Sequence, residues 1–270
     1  MRSFFVSLIF VLAGFSLRAF GAPAPAAAPT APVAHGQVDW SARMLNATGS
    51  GAPDLKAPNA ASARLGAERA AKLDALRNIL EAVRGMRVTG NQTGASELDK
   101  NAELKAKVEG VVRNFKVMDT KYYSDGGVDV IVQVPVDGVL LDTLVPDVGK
   151  AAPAVTDPKA GDPTGLVVDA KGLGAVAALA PRLLGDDGKE IYGADRVTHE
   201  AAQARGIAAY AKSLDEAMRD SRVGANPLLV RAARAAATQS ADLIFGADEA
   251  NKVQKLASLL AAGRVIIVVD

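Results

Sequence analysis

The sequence predicts a mixed α+β fold of two small domains, with helices packed on mainly antiparallel sheets and α/β character in the C-terminal part. Three observations indicate it: a long helical repeat of apolar residues, several short strands joined by glycine-containing turns, and a proline-rich break near the middle of the chain. With 270 residues, 49% of them hydrophobic, the chain is long enough to bury a core in each domain.

The composition excludes several functional classes. Thirty-one basic and 30 acidic residues give a net charge of +1, which argues against a polyanion-binding chain and against a charge-driven disordered tail. The absence of cysteine excludes a disulfide scaffold, a Cys-ligated zinc site, a thiol nucleophile and a lipid anchor on an acylated cysteine. Two histidines leave little room for a His-based metal site or a Ser-His-Asp triad.

The N-terminus has the pattern of a secretory signal peptide. Residues 1–21 combine Arg2, an apolar run over 4–17, and small residues at Ala19 and Gly21, the spacing that a signal peptidase reads. We therefore expect a cleaved signal and a periplasmic or otherwise secreted protein, with an uncleaved N-terminal anchor as the alternative. Cleavage would leave 29 basic residues, 30 acidic residues and seven aromatic ones, a poor platform for nucleic acid.

Proline-rich segments divide the rest of the chain. Residues 22–36 alternate Ala and Pro and predict an extended spacer. Residues 146–164 hold four prolines without apolar periodicity and predict a linker. Two blocks of ordinary domain size remain, 37–145 and 165–270.

The first block predicts the order β-α-α-β-β. Alternation over 37–48 predicts a strand, and Asn59 is a plausible N-cap for a helix over 60–84. A second helix over 96–108 precedes two strands, 115–123 and 128–136, joined by a Gly-Gly turn. The predicted inward face of the long helix consists of Ala60, Ala63, Ala67, Ala70, Leu73, Leu76, Leu80 and Val83.

The second block predicts a compact α/β or α+β sandwich. Strands are expected over 165–170, 181–184, 190–192, 242–245 and 265–269. Helices are expected over 199–220, capped by Thr198, over 228–236 after Pro227, and over 247–261. The last strand, VIIVV, has no polar alternation, so we expect both of its faces to be covered.

The residue patterns identify no catalytic, cofactor-binding or metal-ligating residue. Gly172-Leu173-Gly174 lacks the third glycine and the helix of a dinucleotide loop, so we interpret it as a turn. The segment 186–190 lacks the alternating ligands of a calcium loop and predicts a hairpin turn. His35 lies in the spacer and His199 in the first turn of a helix, which favours exposed positions for both.

Residues 37–137 resemble the LPP-twenty/FlgP type of bacterial envelope protein. The resemblance rests on Trp40, GSGAP at 49–53, AERAAKLDALRNILE at 67–81, VEGVV at 108–112 and the strand at 128–135. It implies an outer-membrane-associated location and roles in flagellar or surface assemblies, without catalytic residues. The C-terminal stretches TGLVVDAKGLG, APRLLGDDGKEIYG and RVGANPLLV are similar to a region of longer secreted relatives.

Three functions follow as hypotheses. The first is a non-enzymatic structural, assembly or interaction module of the cell envelope, whose partners are envelope proteins or further copies of the chain, with no nucleic acid and no cofactor. The second is a periplasmic protein that binds a small ligand or an envelope polymer between the two blocks. The third is a divergent hydrolase, which requires a pair of carboxylates brought together by the fold.

Overall fold

The computed structural model describes residues 36–270, so the predicted signal peptide and all of the predicted spacer except Gly36 lie outside the described residues. The first block contains six strands and four helices: β1 (Gln37–Asp39), β2 (Met44–Gly51), α1 (Ala60–Gly85), β3 (Arg87–Thr89), β4 (Gln92–Thr93), α2 (Gly94–Leu98), α3 (Ala102–Val112), β5 (Lys116–Tyr122), β6 (Val128–Pro135) and α4 (Val139–Leu144).

The second block alternates short strands and short helices. Its elements are β7 (Gly165–Asp169), β8 (Leu183–Gly185), β9 (Glu190–Tyr192), α5 (His199–Arg205), β10 (Ala209–Ala211), α6 (Leu214–Arg219), β11 (Pro227–Arg231), β12 (Arg234–Ala235), β13 (Leu243–Phe245), α7 (Ala247–Gln254), α8 (Ala257–Leu260) and β14 (Val265–Val268). The predicted mixed α+β fold class is therefore confirmed.

An antiparallel sheet in the order β1-β2-β6-β5 forms the first block, and α1 covers one of its faces. The valines at alternate positions, from Val128 in β6 to Val136 just after it, are all buried on the α1 side, as their spacing predicts. Pro135 is typical of an edge strand, yet β6 lies inside the sheet. Since β5 begins opposite Gln133, the strand has no β5 partner at Pro135.

The long helix α1 forms where expected, with Asn59 accepting a hydrogen bond from the Ser62 amide at 2.8 Å. Its predicted inward face is wrong in part: Leu73 is 68% exposed, and Ala60 and Ala70 are exposed as well. The residues that α1 buries are Ala67, Ala71, Ala75, Asn78, Ile79 and Val83.

Close packing explains this face of the helix. A Cβ on Gly49 would overlap the Ala71 carbonyl oxygen and the Ala75 amide nitrogen, and a Cβ on Gly51 would overlap the Ala67 carbonyl oxygen. Helix and strand therefore touch backbone to backbone, which only the small residues of the helix permit. Two polar side chains complete the contact, because the Ser50 amide donates to Asp74 at 3.0 Å and Asn78 Nδ2 donates to the Thr48 carbonyl at 2.8 Å.

Two predicted elements of the first block are divided in the structure. The single strand over 37–48 is a hairpin, in which β1 and β2 pair antiparallel. The helix over 96–108 is two helices, α2 and α3, because Asn101 caps a new helix by accepting hydrogen bonds from the amides of Glu103 and Leu104.

The second block contains a parallel sheet in the order β10-β14-β7-β11 and a mixed sheet in the order β12-β13-β8-β9. The last strand, β14, pairs with a strand on each side and is buried along its length, as its apolar sequence predicts. The β8–β9 hairpin also forms as expected, with Gly188 in the left-handed region at φ +76°.

Three predicted helices of the second block are wrong in extent or type. The segment 199–220 is α5, β10 and α6, because Gly206 at φ +72° ends the first helix. The segment after Pro227 is strand β11, which pairs in parallel with β7 along its whole length. The segment 247–261 is divided into α7 and α8.

One hydrophobic core runs through both blocks. Backbone hydrogen bonds also join them, from the Leu179 amide to the Arg87 carbonyl at 2.9 Å and from the Ala180 amide to the Val88 carbonyl at 2.7 Å. Residues 146–164 contain no helix or strand, and the domain boundary placed there stays a prediction. None of the helices in the described range 36–270 is both long and apolar enough to cross a membrane.

Candidate functional site: a cleft beside the first hairpin

The loop between β1 and β2, residues 40–43, reaches the C-terminal block; we call it the hairpin loop. Asp39 shapes it, since its carboxylate accepts hydrogen bonds from the amides of Ser41 at 3.0 Å and Ala42 at 2.9 Å. Arg43 ends the loop at φ +54°, a region that non-glycine residues rarely adopt. The hairpin loop therefore has a defined shape, and it carries the only tryptophan of the chain, Trp40.

A cleft with a volume of about 660 Å³ lies between this hairpin and the carboxyl ends of β10 and β14. In open sheets of parallel strands, ligands bind outside the carboxyl ends of the strands. The cleft is lined by Gln37, Val38, Asp39, Trp40, Ser41 and Asn46 from the hairpin, and by Ala175, Val176, Ala177, Tyr210, Ala211, Lys212, Val269 and Asp270 from the second block.

An aromatic pair forms the apolar part of the cleft. The rings of Trp40 and Tyr210 meet edge to face, with their centroids 5.7 Å apart. The Tyr210 hydroxyl is fixed by the backbone of Ala178, accepting from its amide and donating to its carbonyl, both at 2.9 Å. Burial raises the pKa of Tyr210, so this phenol stays neutral and serves as packing surface.

Trp40 also lines a neighbouring cavity of about 450 Å³, beside the C-terminal end of α1. Trp40 is thus partly buried against the core and is bordered by two cavities. Tyr210 supports it from the core.

Polar groups surround the aromatic pair. The side-chain oxygen of Asn46 is buried and has no hydrogen-bond partner among the described residues, although Asn46 itself lines the cleft. On the opposite wall, the Asp270 carboxylate accepts a hydrogen bond from the Gly172 amide at 3.1 Å, and Lys171 Nζ donates to the Lys212 carbonyl at 2.9 Å. A buried polar atom without a partner is costly, so the Asn46 oxygen would gain a hydrogen bond if its side chain turned towards a ligand in the cleft.

The two glycine-containing turns and His199 lie where the sequence predicts them. Gly172 and Gly174 adopt φ +74° and +63° in a turn after β7, and no helix follows in this part of the described chain. Asp187 accepts a hydrogen bond from the Lys189 amide at 3.0 Å within the β8–β9 turn. His199 begins α5, with Nε2 3.2 Å from Asp142 and a mostly exposed side chain. His35 lies outside the described residues.

A pair of carboxyl groups, Glu190 and Asp195, comes together next to Arg182 and Arg196. Burial, followed by the neighbouring Asp195 carboxyl, raises the pKa of Glu190 to about 7. Neither carboxyl lines any of the five cavities described in residues 36–270. Within the same range, no cluster of three His, Asp or Glu side chains is arranged to hold a metal ion. The pair lies away from these five cavities, and its raised pKa bears on stability.

This pair predicts a pH dependence of stability. The folded-state pKa of Glu190, about 7, lies above the ordinary value of 4.5, so between these two values the folded chain binds more protons than the unfolded chain. Stability from this group is therefore complete below pH 4.5 and is lost as the pH rises towards 7. Because Glu190 is partly exposed, we expect a loss of only about 1 kcal/mol.

Urea denaturation of wild-type protein and of Glu190→Gln, at about pH 5 and about pH 8, measures this effect. The variant should show a smaller decrease in the free energy of unfolding than the wild type. Glu200→Gln, which changes an exposed carboxylate on α5, should behave as the wild type does. Equal pH dependence in all three proteins would contradict the prediction.

Sequence reasoning did not identify Tyr210 or Lys212 as cleft residues, because it placed both inside one long helix. Gly206 followed by the apolar run IAAYA was the available signal for a strand there. Asp270 and Gln37 carried no signal, since only the fold brings these two residues to the same cleft.

The comparisons with known proteins bear on the second block. Residues 165–270 match a family model described as Treponema pallidum Tp0624, second domain. No curated protein matches the chain. The matched range supports a bacterial domain family for the block that contributes Tyr210, Lys212 and Asp270 to the cleft.

Proposed function

We propose that this chain is a non-enzymatic protein of the bacterial cell envelope that binds a small ligand or a segment of an envelope polymer in the cleft. The single observation that carries the proposal is the unpartnered Asn46 oxygen beside Trp40 in an open cleft at the carboxyl ends of parallel strands. The signal-like N-terminal sequence supports the envelope location. We include in this proposal that residues 37–137 are related to the LPP-twenty/FlgP type of envelope protein, which they resemble in sequence.

The chemistry of the cleft favours an amide-bearing sugar as the ligand. Trp40 offers an apolar ring surface, while Gln37 and Asn46 offer carboxamide groups that pair with N-acetyl and hydroxyl groups. Lys212 and Asp270, on the opposite wall, suit a ligand that carries both charges, such as a short peptide stem. Cell-wall glycan with attached peptide combines these groups.

Trp40 itself provides the assay, because the chain contains no other tryptophan. Soluble disaccharide–peptide fragments of cell wall are titrated into the wild-type protein while the tryptophan emission is recorded. We expect a saturable change, and we expect Asn46→Ala to raise the Kd about ten-fold, the equivalent of about 1.4 kcal/mol. Asn46→Ala should not lower the stability of the free protein, because it removes a buried polar atom that lacks a partner.

Asn91→Ala is the matched control, since Asn91 is exposed in the β3–β4 turn and does not line the cleft. Its Kd should equal that of the wild type. The proposal is wrong if none of the fragments changes the emission, or if Asn46→Ala binds as tightly as Asn91→Ala. The location is tested separately, by cell fractionation and by sequencing of the mature N-terminus.

A second candidate is the structural or assembly module, and the free edge of the first sheet favours it. Helix α1 occupies the unpaired part of β2 through Asp74 and Asn78, whereas the outer edge of β5 is uncovered among the described residues. Three large apolar side chains of β5 are exposed: Val117 at 40%, Met118 at 48% and Tyr122 at 51%. Such an edge accepts a strand from another chain.

Concentration-dependent mass measurement tests this candidate. We expect the wild type to associate as its concentration rises, and we expect Met118→Lys to remain a monomer, because a lysine on an edge strand opposes pairing. Met218→Lys, on the exposed side of α6, should associate as the wild type does. A wild-type monomer at every concentration, without envelope partners in a crosslinking experiment, would exclude the assembly function.

A further inference from the structure

A second cavity, of about 330 Å³, lies on the other side of the hairpin loop and is lined by three arginines. Arg43 comes from the hairpin loop, Arg205 from the end of α5, and Arg222 from the segment after α6. Ser41 and Ser221 add hydroxyl groups, and Asp220 is the one carboxylate in the lining. We call this space the arginine cavity.

Arg43 and Arg222 converge on the same backbone atom. Both guanidinium groups donate to the Arg205 carbonyl oxygen, and Arg222 Nη2 also donates to the Gly206 carbonyl at 2.9 Å. Two cations that share one neutral acceptor repel each other, and the repulsion is strong where water is excluded. Arg222 is such a case, since only 9% of its surface is exposed.

The described residues do not fully compensate this charge. Asp137 lies 3.1 Å from Arg43 and is the carboxylate that these two arginines share. Asp220 uses one carboxylate oxygen to accept from the Arg222 amide at 2.7 Å. Arg222 Nε is buried and has no hydrogen-bond partner among residues 36–270. Burial lowers the pKa of Arg222 to about 10, so the side chain is still protonated at neutral pH.

A strained backbone conformation holds Arg43 at this cavity. Arg43 holds a left-handed conformation, φ +54°, which is strained for a non-glycine residue. Its side chain reaches both Asp137 and the Arg205 carbonyl from this conformation. The hairpin loop thus holds a second cation, Arg43, at the cavity beside Arg222.

We propose that the arginine cavity is a binding site for a small oxyanion, a phosphate or phosphate-ester group, held by Arg43, Arg205 and Arg222 with the hydroxyl groups of Ser41 and Ser221. Guanidinium groups match the geometry of such oxygens and bind them through paired hydrogen bonds. The oxyanion would add negative charge beside the buried Arg222 and would relieve the repulsion between the arginines. Neither the proposed cleft ligand nor an envelope partner is required for this site.

Arg205→Gln tests the proposal without disturbing the fold. The side chain of Arg205 makes no hydrogen bond or ion pair with another described residue, and its carbonyl, which Arg43 and Arg222 use, is retained in the variant. Arg219→Gln is the matched control, because it removes an exposed arginine from α6 that does not line the cavity.

Isothermal titration with inorganic phosphate, and separately with glycerol phosphate, is performed on all three proteins in chloride buffer of matched ionic strength. We expect saturable binding to the wild type and to Arg219→Gln, with a Kd about ten-fold higher for Arg205→Gln. If inorganic phosphate binds more tightly than glycerol phosphate, the natural ligand is a free anion. If glycerol phosphate binds more tightly, the natural ligand is a phosphate ester. The proposal is overturned if neither probe binds the wild type, or if Arg205→Gln and Arg219→Gln bind equally well.

Discussion

Gly49→Ala is expected to lower the free energy of unfolding by about 3 kcal/mol, at the upper end of the usual cost of overpacking. The new methyl group would overlap the Ala71 carbonyl oxygen and the Ala75 amide nitrogen. Both atoms belong to the backbone of α1, so no side chain can rotate to make room. Helix α1 would have to move away from β2 and would lose contacts along its length.

The same substitution at Gly66 provides the control. Gly66 lies on the exposed side of α1, and a Cβ there would meet no atom within 4 Å. Gly66→Ala should therefore raise the free energy of unfolding by about 0.8 kcal/mol, because alanine loses less conformational entropy than glycine in a helix. Urea denaturation measures both variants. A similar small effect at the two positions would refute the close contact between α1 and β2.

Asp242→Ala is expected to cost about 2 kcal/mol of stability. Asp242 is 3% exposed, accepts from the Arg182 amide at 3.2 Å and from Arg182 Nε at 3.0 Å, and lies against Gly90 of the first block. Breaking a buried ion pair usually costs more than this. The Arg182 side chain, however, is 45% exposed and can regain water, which reduces the loss.

Asp157→Ala is the control for this prediction, since Asp157 is an exposed carboxylate in the segment between the blocks. It should leave the midpoint of urea denaturation unchanged. Because one hydrophobic core runs through both blocks, we also expect Asp242→Ala to retain one unfolding transition and to move it to lower urea concentration. An unchanged midpoint would show that the Asp242–Arg182 pair contributes nothing to stability.

Local signals in the sequence predicted the elements whose structure is determined locally. Asn59 and Thr198 cap the helices they were expected to cap, and Gly188 lies in the expected turn. The buried valines of β6 and the buried last strand followed from their apolar patterns. These features depend on residues close together in the sequence.

The secondary-structure and burial predictions were wrong where contacts between distant residues determine the outcome. The apolar spacing over 199–220 is typical of a helix, but Gly206 ends the helix after one or two turns. Tyr210 then lies in strand β10, which pairs with the distant strand β14. Proline is tolerated at the first residue of a strand as well as of a helix. The segment that begins at Pro227 forms a strand because it pairs with β7. On α1, the face predicted to be buried included Leu73, whereas the face that meets the glycines of β2 presents Ala67, Ala71 and Ala75.

The cleft and the arginine cavity were beyond sequence reasoning for the same reason. Trp40 was recognised as the single tryptophan, but its partner Tyr210 lies 170 positions further along the chain. No spacing rule connects them. The arginines 43, 205 and 222 likewise meet only because the hairpin loop rests against the second block.

The hairpin loop separates these two spaces, and Ser41 lines both of them. The shape of the cleft and the shape of the arginine cavity therefore both depend on where this loop lies. A molecule that binds on one side and shifts this loop therefore changes the affinity on the other side, and the two changes are equal in free energy because linkage is reciprocal. The four residues of the hairpin loop, which follow the Asp39 turn and end at Arg43, thus form a wall that the cleft and the arginine cavity share.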